Sequence, residues 1–158
     1  MKFSEIPYER PDVEDVKRQL AEMTEELKLS GYYEAAKDVF LRKDALERKV
    51  LTMVQLCSIR HSIDTRVEFY KEEFKFWNQA MPELQEYLQM WTMALLMSPF
   101  RDDFEKEFGS ILFINAEMEV KSFSPEIIPE LQKENDLVQE YDNRIASAQS
   151  PFEGGTYT

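Results

Sequence analysis

The scarcities of this chain narrow it first. It has one histidine, one cysteine and four glycines in 158 residues. A single histidine, His61, cannot build a His-Glu-x-x-His zinc helix. No Glu-x-x-His pair exists either, because position 58 is Ser, which removes the usual carboxylate di-iron bundle. A Gly-rich phosphate loop, Cys-x-x-Cys and Gly-x-Ser-x-Gly are all missing from the sequence. The lone Cys57 forms no internal disulfide, which fits a reducing, cytoplasmic compartment. Basic residues are few, 19 Lys and Arg against 31 Asp and Glu, for a net charge of −12. That balance disfavours nucleic acid and anionic membranes; its plain consequence is solubility. No apolar leader opens the chain, and its most apolar run, Trp91 to Met97, is too short to span a bilayer.

What is present is helical periodicity. Scarce glycine and few short alternating segments argue against sheet, so the expected class is all-α: an array of long antiparallel helices, with a partial β-hairpin at the C-terminus. Residues up to Pro11 read as extended, since Pro7 and Pro11 disfavour helix before themselves. Asp12 is the expected cap of a first helix, with Asp15 in a capping-box-like position. Val13, Val16, Leu20, Met23 and Leu27 mark its inner face, and Gly31 its end. A second helix from Tyr32 or Tyr33 turns Ala36, Phe40, Leu46, Val50, Val54 and Cys57 inward. The third has the clearest stripe, Val67, Tyr70, Phe74, Trp77, Met81, Leu84, Leu88, Trp91 and Leu95, with a kink or short break expected at Gln79-Ala80-Met81 ahead of Pro82. A short helix from Pro99 to Phe108, stopped by Gly109, precedes one that carries Ile111, Leu112, Ile114, Met118 and Val120. The last helix has a cap-and-proline start at Ser124-Pro125-Glu126, with its regular part from near Pro129, and lines up Ile128, Leu131, Asn135, Val138, Asp142 and Ile145. Its polar members, Asn135 and Asp142, imply that it faces something other than a dry core.

The stretch Ile59-Arg60-His61-Ser62-Ile63-Asp64-Thr65-Arg66 is expected to form a buried or half-buried corner between the second and third helices. Thr65 with Glu68 has capping-box spacing, Asp64 is the alternative cap, and Arg60 and Arg66 flank Asp64 closely enough to pair with it. His61 could serve metal or proton transfer, but a metal needs several convergent ligands, and a hydrogen-bonded corner histidine is favoured. Cys57 on an apolar face reads as an inert core thiol. Glu72/Glu73 and Asp102/Asp103 are adjacent in sequence, point to different sides of a helix, and read as solvated. The residues thus offer no catalytic, cofactor-binding or metal-ligating set. Phe152-Glu153-Gly154-Gly155-Thr156-Tyr157-Thr158 reads as a strand, a Gly-Gly turn and a returning strand cut short, as in a piece of something longer.

Five segments in order carry a resemblance. They are Tyr8-Glu9-Arg10-Pro11-Asp12, Ile59 to Arg66 with Glu68-Phe69-Tyr70, Ser98-Pro99-Phe100-Arg101, Ser122-Phe123-Ser124-Pro125-Glu126-Ile127-Ile128, and Ala146-Ser147-Ala148-Gln149. Together they resemble the N-terminal region of oligoendopeptidase F, a relative of thimet oligopeptidase, over essentially the whole chain; Val67 stands where relatives are expected to hold an acid. The resemblance implies a cytoplasmic zinc metallopeptidase of short peptides, mostly helical, with two lobes across a deep channel. It implies that residues 1–158 are the N-terminal helical lobe, with zinc held only in the full-length enzyme by an HExxH helix and a later Glu. The lobe, inactive alone, would line the channel and restrict it to small unfolded peptides. The polar side of the last helix and the corner surface are the expected channel-facing regions. The implied partners are the catalytic lobe and short peptides, and exposed apolar surface implies self-association of the fragment. The alternative from the residues alone is a free-standing acidic all-α protein-interaction module.

Overall fold

The computed structural model describes residues 5–122, 124–148, 150–152 and 155–157. Among these, six α-helices carry the fold: α1 Val13–Leu29, α2 Tyr33–Ile63, α3 Glu68–Leu96, α4 Arg101–Phe108, α5 Ile111–Ser122 and α6 Ile128–Ala146. A 3-10 turn, Pro125–Ile127, leads into α6. Of the C-terminal hairpin expected over 152–158, Glu153, Gly154 and Thr158 lie outside the described residues, and the fold rests on the helices.

Local chemistry sets most helix ends. Asp12 caps α1 by accepting from the backbone N–H of Glu14 at 3.0 Å and of Asp15 at 3.2 Å. Two of the four orphan donors of the first turn are thereby satisfied. Asp15 does not close a capping box; its carboxylate takes Arg18 and Gln19 instead. α1 stops at Leu29 with Ser30 as its C-cap. The Ser30 hydroxyl donates to the Glu26 carbonyl, so the helix closes one residue before Gly31. Gly109 ends α4 with φ +88, a conformation L side chains rarely adopt.

The links α1–α2 and α2–α3 span only 30–32 and 64–67, so consecutive helices run antiparallel and α1 and α3 share a direction. Lys17 pairing Glu83 at 2.7 Å and Trp77 Nε1 donating to Tyr8 at 2.9 Å fix that register. The dry core lies among these three helices: Val16, Leu20, Met23 and Leu27 of α1, Ala36, Val39, Val50 and Cys57 of α2, and Trp77, Leu84, Trp91 and Leu95 of α3. α4 closes one end through aromatic rings, with Phe104 5.1 Å from Tyr33 and 5.4 Å from Phe40.

α3 is central, touching α1, α2, α5 and α6. It continues without a break through Pro82. Proline has no N–H, so the Asn78 carbonyl four residues back loses its helical donor. Of the kink or short break expected at Gln79-Ala80-Met81, the break is absent, and α6 supplies the missing donor: Asn135 Nδ2 reaches the Asn78 carbonyl at 3.1 Å, while Gln132 Nε2 also reaches the Gln79 carbonyl at 2.8 Å. α5 and α6 follow each other along α3. Glu119 of α5 accepts from Gln85, while Gln139 of α6 donates to the Lys71 carbonyl.

α5 is rotated so that Leu112 packs against the core and Phe113 and Ala116 are buried, while Ile111, Ile114 and Met118 are exposed. Polar anchors set that rotation: Arg101 lies 4.7 Å over the Phe113 ring and pairs Glu117, and Glu119 takes Gln85. α6 is rotated too, since Val138, Asp142 and Ile145 face outward and Gln139 is its buried residue.

Candidate functional site

Most residues singled out by sequence fall into two regions along α3; Asp102 and Asp103 lie apart, in the first turn of α4. The first is where the extended arm before α1 crosses α3. Tyr8 donates to Glu73 Oε2 at 2.6 Å and accepts from Trp77 Nε1 at 2.9 Å. Arg10 lies 3.4 Å from Glu73 Oε1 and 4.2 Å above the Phe76 ring. Glu73 is therefore buried rather than solvated, because the arm brings it a phenol and a guanidinium; its neighbour Glu72 is exposed. Burial, and then the bond to Glu73, push the Tyr8 phenol well above its ordinary range. It stays protonated and works as a clasp, not as an acid. Nothing in the sequence pattern marked Glu73; the arm segment from Tyr8 to Asp12 was the available signal.

The corner sits beside this clasp and is more open than expected. Ile59, Ile63, Val67 and Phe69 are exposed, and His61 is the buried member. Asp64 accepts from the Arg66 backbone N–H at 3.0 Å and from its guanidinium at 2.8 Å. That pair holds the turn, so α3 starts at Glu68 with Val67 as a cap lacking a side-chain bond, and Thr65 plays no capping part. Arg60 does not join Asp64. It donates to the Tyr70 hydroxyl at 2.9 Å and to the Ile6 carbonyl, tying the arm to the corner.

His61 is 4% exposed and stacks on Phe74, ring centroids 4.6 Å apart at 8°. Its Nε2 has no partner among the described residues, so this nitrogen does not make the hydrogen bond expected of a corner histidine. Burial holds its pKa below the ordinary value, against the opposing pull of Asp142. Cys57 is fully buried with Sγ 3.9 Å from the Tyr70 carbonyl, and burial lifts its thiol to about 11. A thiol so raised is not a nucleophile at neutral pH.

The second region is the α3–α6 seam. Gln132, Asn135 and Gln139 turn their amides onto α3, Gln139 accepting from Asn78 at 3.4 Å, and Asp136 accepts from Gln79 at 2.8 Å. The polar side of α6, expected at the channel, thus lies against α3. A groove of about 570 Å³ beside it is lined by charges of both signs, among them Lys71, Glu72, Glu140 and Arg144. No group of three His, Cys, Asp or Glu that could hold a metal occurs among the described residues, so a zinc ion finds no ligand set in them. No helix of the described residues is long and apolar enough to cross a membrane.

A clasped arm, an antiparallel helical core and a polar seam define a helical lobe. The family model for the Peptidase M3 N-terminal domain matches residues 3–123. The chain belongs to that family. Comparison with curated proteins gives no match. Among solved structures, one bearing the name oligoendopeptidase F is 40% identical with a TM-score of 0.96, covering 100% of this chain and 28% of its own. Pz peptidase A, solved with an inhibitor, is 38% identical with a TM-score of 0.95, covering 99% and 28%. An oligoendopeptidase F structure from Bacillus anthracis str. Ames is 36% identical with a TM-score of 0.95, covering 100% and 29%. The chain therefore spans less than a third of the length of the solved relatives it matches.

Proposed function

We propose that this chain is the non-catalytic N-terminal helical lobe of a cytoplasmic zinc oligoendopeptidase that hydrolyses short peptides. The observation that carries the reading is the whole-chain likeness to oligoendopeptidase F at 40% identity, over only 28% of that chain. In this reading zinc and its activated water belong to the longer enzyme, and no residue of this chain is catalytic or a metal ligand. The lobe walls the substrate channel and admits small unfolded peptides. The antiparallel register of Ser150–Phe152 with Gly155–Tyr157 supports a C-terminal hairpin at its exit. Exposed apolar side chains on α5 and α6 support self-association of the lobe at high concentration when it is alone.

The test is a chimera in which residues 1–158 replace the matching segment of the 40%-identical oligoendopeptidase F. Cleavage of a quenched fluorescent peptide is expected, with a folded protein left intact and the 158-residue chain inert. Peptide turnover or stoichiometric zinc in the 158-residue chain alone would overturn the reading.

A further inference from the structure

α6 is amphipathic in the reverse sense. Its inner side is amide-rich, whereas Leu137, Val138, Tyr141 and Ile145 are 57%, 53%, 63% and 57% exposed. None of its residues joins the dry core. A neutral hydrogen bond nets less than the covering of a large aliphatic or aromatic side chain. A helix that gives its amides to its own domain and its apolar side to the outside is set for a second body on that side. α5 shares only the outer half of this arrangement, since its inner side buries Phe113 and Ala116. Ile111, Ile114 and Met118 on α5 have the same three-then-four spacing as Val138, Tyr141 and Ile145 on α6, and both sets point away from α3.

We infer that the outward apolar faces of α5 and α6 form the seat on which the catalytic remainder of an M3 peptidase chain docks. This rests on the function proposed above. Two observations select that occupant. The solved relatives have more than two thirds of their length beyond the matched part, enough to cover both helices. The match to the family model ends at residue 123, so α6 lies past the matched residues, bonded to α3 on one side and open on the other. A second copy is the poorer occupant: each chain carries a net charge of −12, and Glu130 and Glu134, with Lys133 between them, border the apolar face.

The test is thiol labelling of Val138→Cys and Met118→Cys, with Leu41→Cys on exposed α2 as control; the native thiol, Cys57, is buried. In the dilute 158-residue chain all three engineered thiols should react quickly. In the oligoendopeptidase F chimera, positions 138 and 118 should slow at least tenfold and position 41 should not. Equal rates at 138 in both proteins overturn the inference, as does protection in the chimera that vanishes on dilution, which would assign the face to a second copy. The chimera's peptidase activity is read separately, so loss of activity with protection intact faults the proposed function and not the seat. Should the chimera not fold, the 158-residue chain is co-expressed with the remaining segment of that relative. The native chain should co-purify it and the Val138→Glu/Tyr141→Glu variant should recover at least tenfold less; equal recovery, or none by the native chain, overturns the inference.

Discussion

The two sides of α3 are built on opposite plans. Toward α1 and α2 it is dry inside, with Trp77, Leu84, Trp91 and Leu95 in the core, and ionic outside, where Arg42 joins Glu26 and Asp38 and Arg48 joins Asp44. Toward α6 it is polar inside, and the outer side of α6 carries an apolar stripe, Leu137, Val138, Tyr141 and Ile145, between charged residues. Pro82 accounts for part of the difference, because a carbonyl stripped of its helical donor needs a donor from elsewhere. The lesson is that stability and assembly are separated in this lobe. The α1–α3 side holds the fold, and the α6 side is fastened by directional bonds that leave its apolar residues for another surface.

The comparison sharpens under substitution. The largest effect is expected on the dry side. Trp91→Ala, at a residue 1% exposed, should lose about 3–5 kcal/mol in urea unfolding; a loss under about 1 kcal/mol would deny that this side carries the fold. On the wet side Asn135→Ala should cost about 1–3 kcal/mol by stranding the Asn78 carbonyl. In a Pro82→Ala background, where the helix regains its own N–H, the same change should cost about 1 kcal/mol less. Additive losses in that double-mutant cycle would sever the link between the proline and α6.

A smaller effect is expected at His61, packed between the two plans. Its folded pKa is depressed by burial, so the neutral ring favours the folded state. That stability is fully present above the unfolded value of about 6.5 and is lost as pH falls toward the lower folded value. Unfolding of the native chain between pH 7 and pH 5 should therefore show an acid loss that His61→Phe reduces; identical pH profiles would contradict it. The smallest effect belongs to the ionic exterior. Arg42→Ala, which releases two exposed carboxylates, should shift stability by less than about 1 kcal/mol, measured in the same urea titration.

Much of the dry side was legible in the residues and little of the wet side was. The α3 stripe from Tyr70 to Leu95, the Asp12 cap and the Gly109 stop follow from periodicity, side-chain reach and backbone freedom, and each stands in the structure, whereas Val67, the first member of the stripe, is exposed ahead of the helix. The α6 phase did not follow, because reading apolar residues as inner ones places Val138 and Ile145 in a core they avoid. The requirement that overrides it, donors for carbonyls near Pro82, lies on another helix. Asn135 was still legible as a sign that α6 meets something other than a dry surface. Glu73 was read as solvated because Tyr8 and Arg10, which bury it, are more than sixty residues away. Thr65 and Glu68 had the spacing of a cap, but Arg66 immediately after claims Asp64 and moves the helix start to Glu68.

Amide hydrogen exchange followed along α6 and α3 gives the most direct test of the separation between holding the fold and receiving a partner. In the 158-residue chain the α6 amides are expected to exchange at least about a hundredfold faster than those of α3 around Trp91, because α6 has no share of the dry core. In the oligoendopeptidase F chimera they should slow toward the α3 rates. Equal protection of the two helices in the 158-residue chain, unchanged in the chimera, would contradict the account.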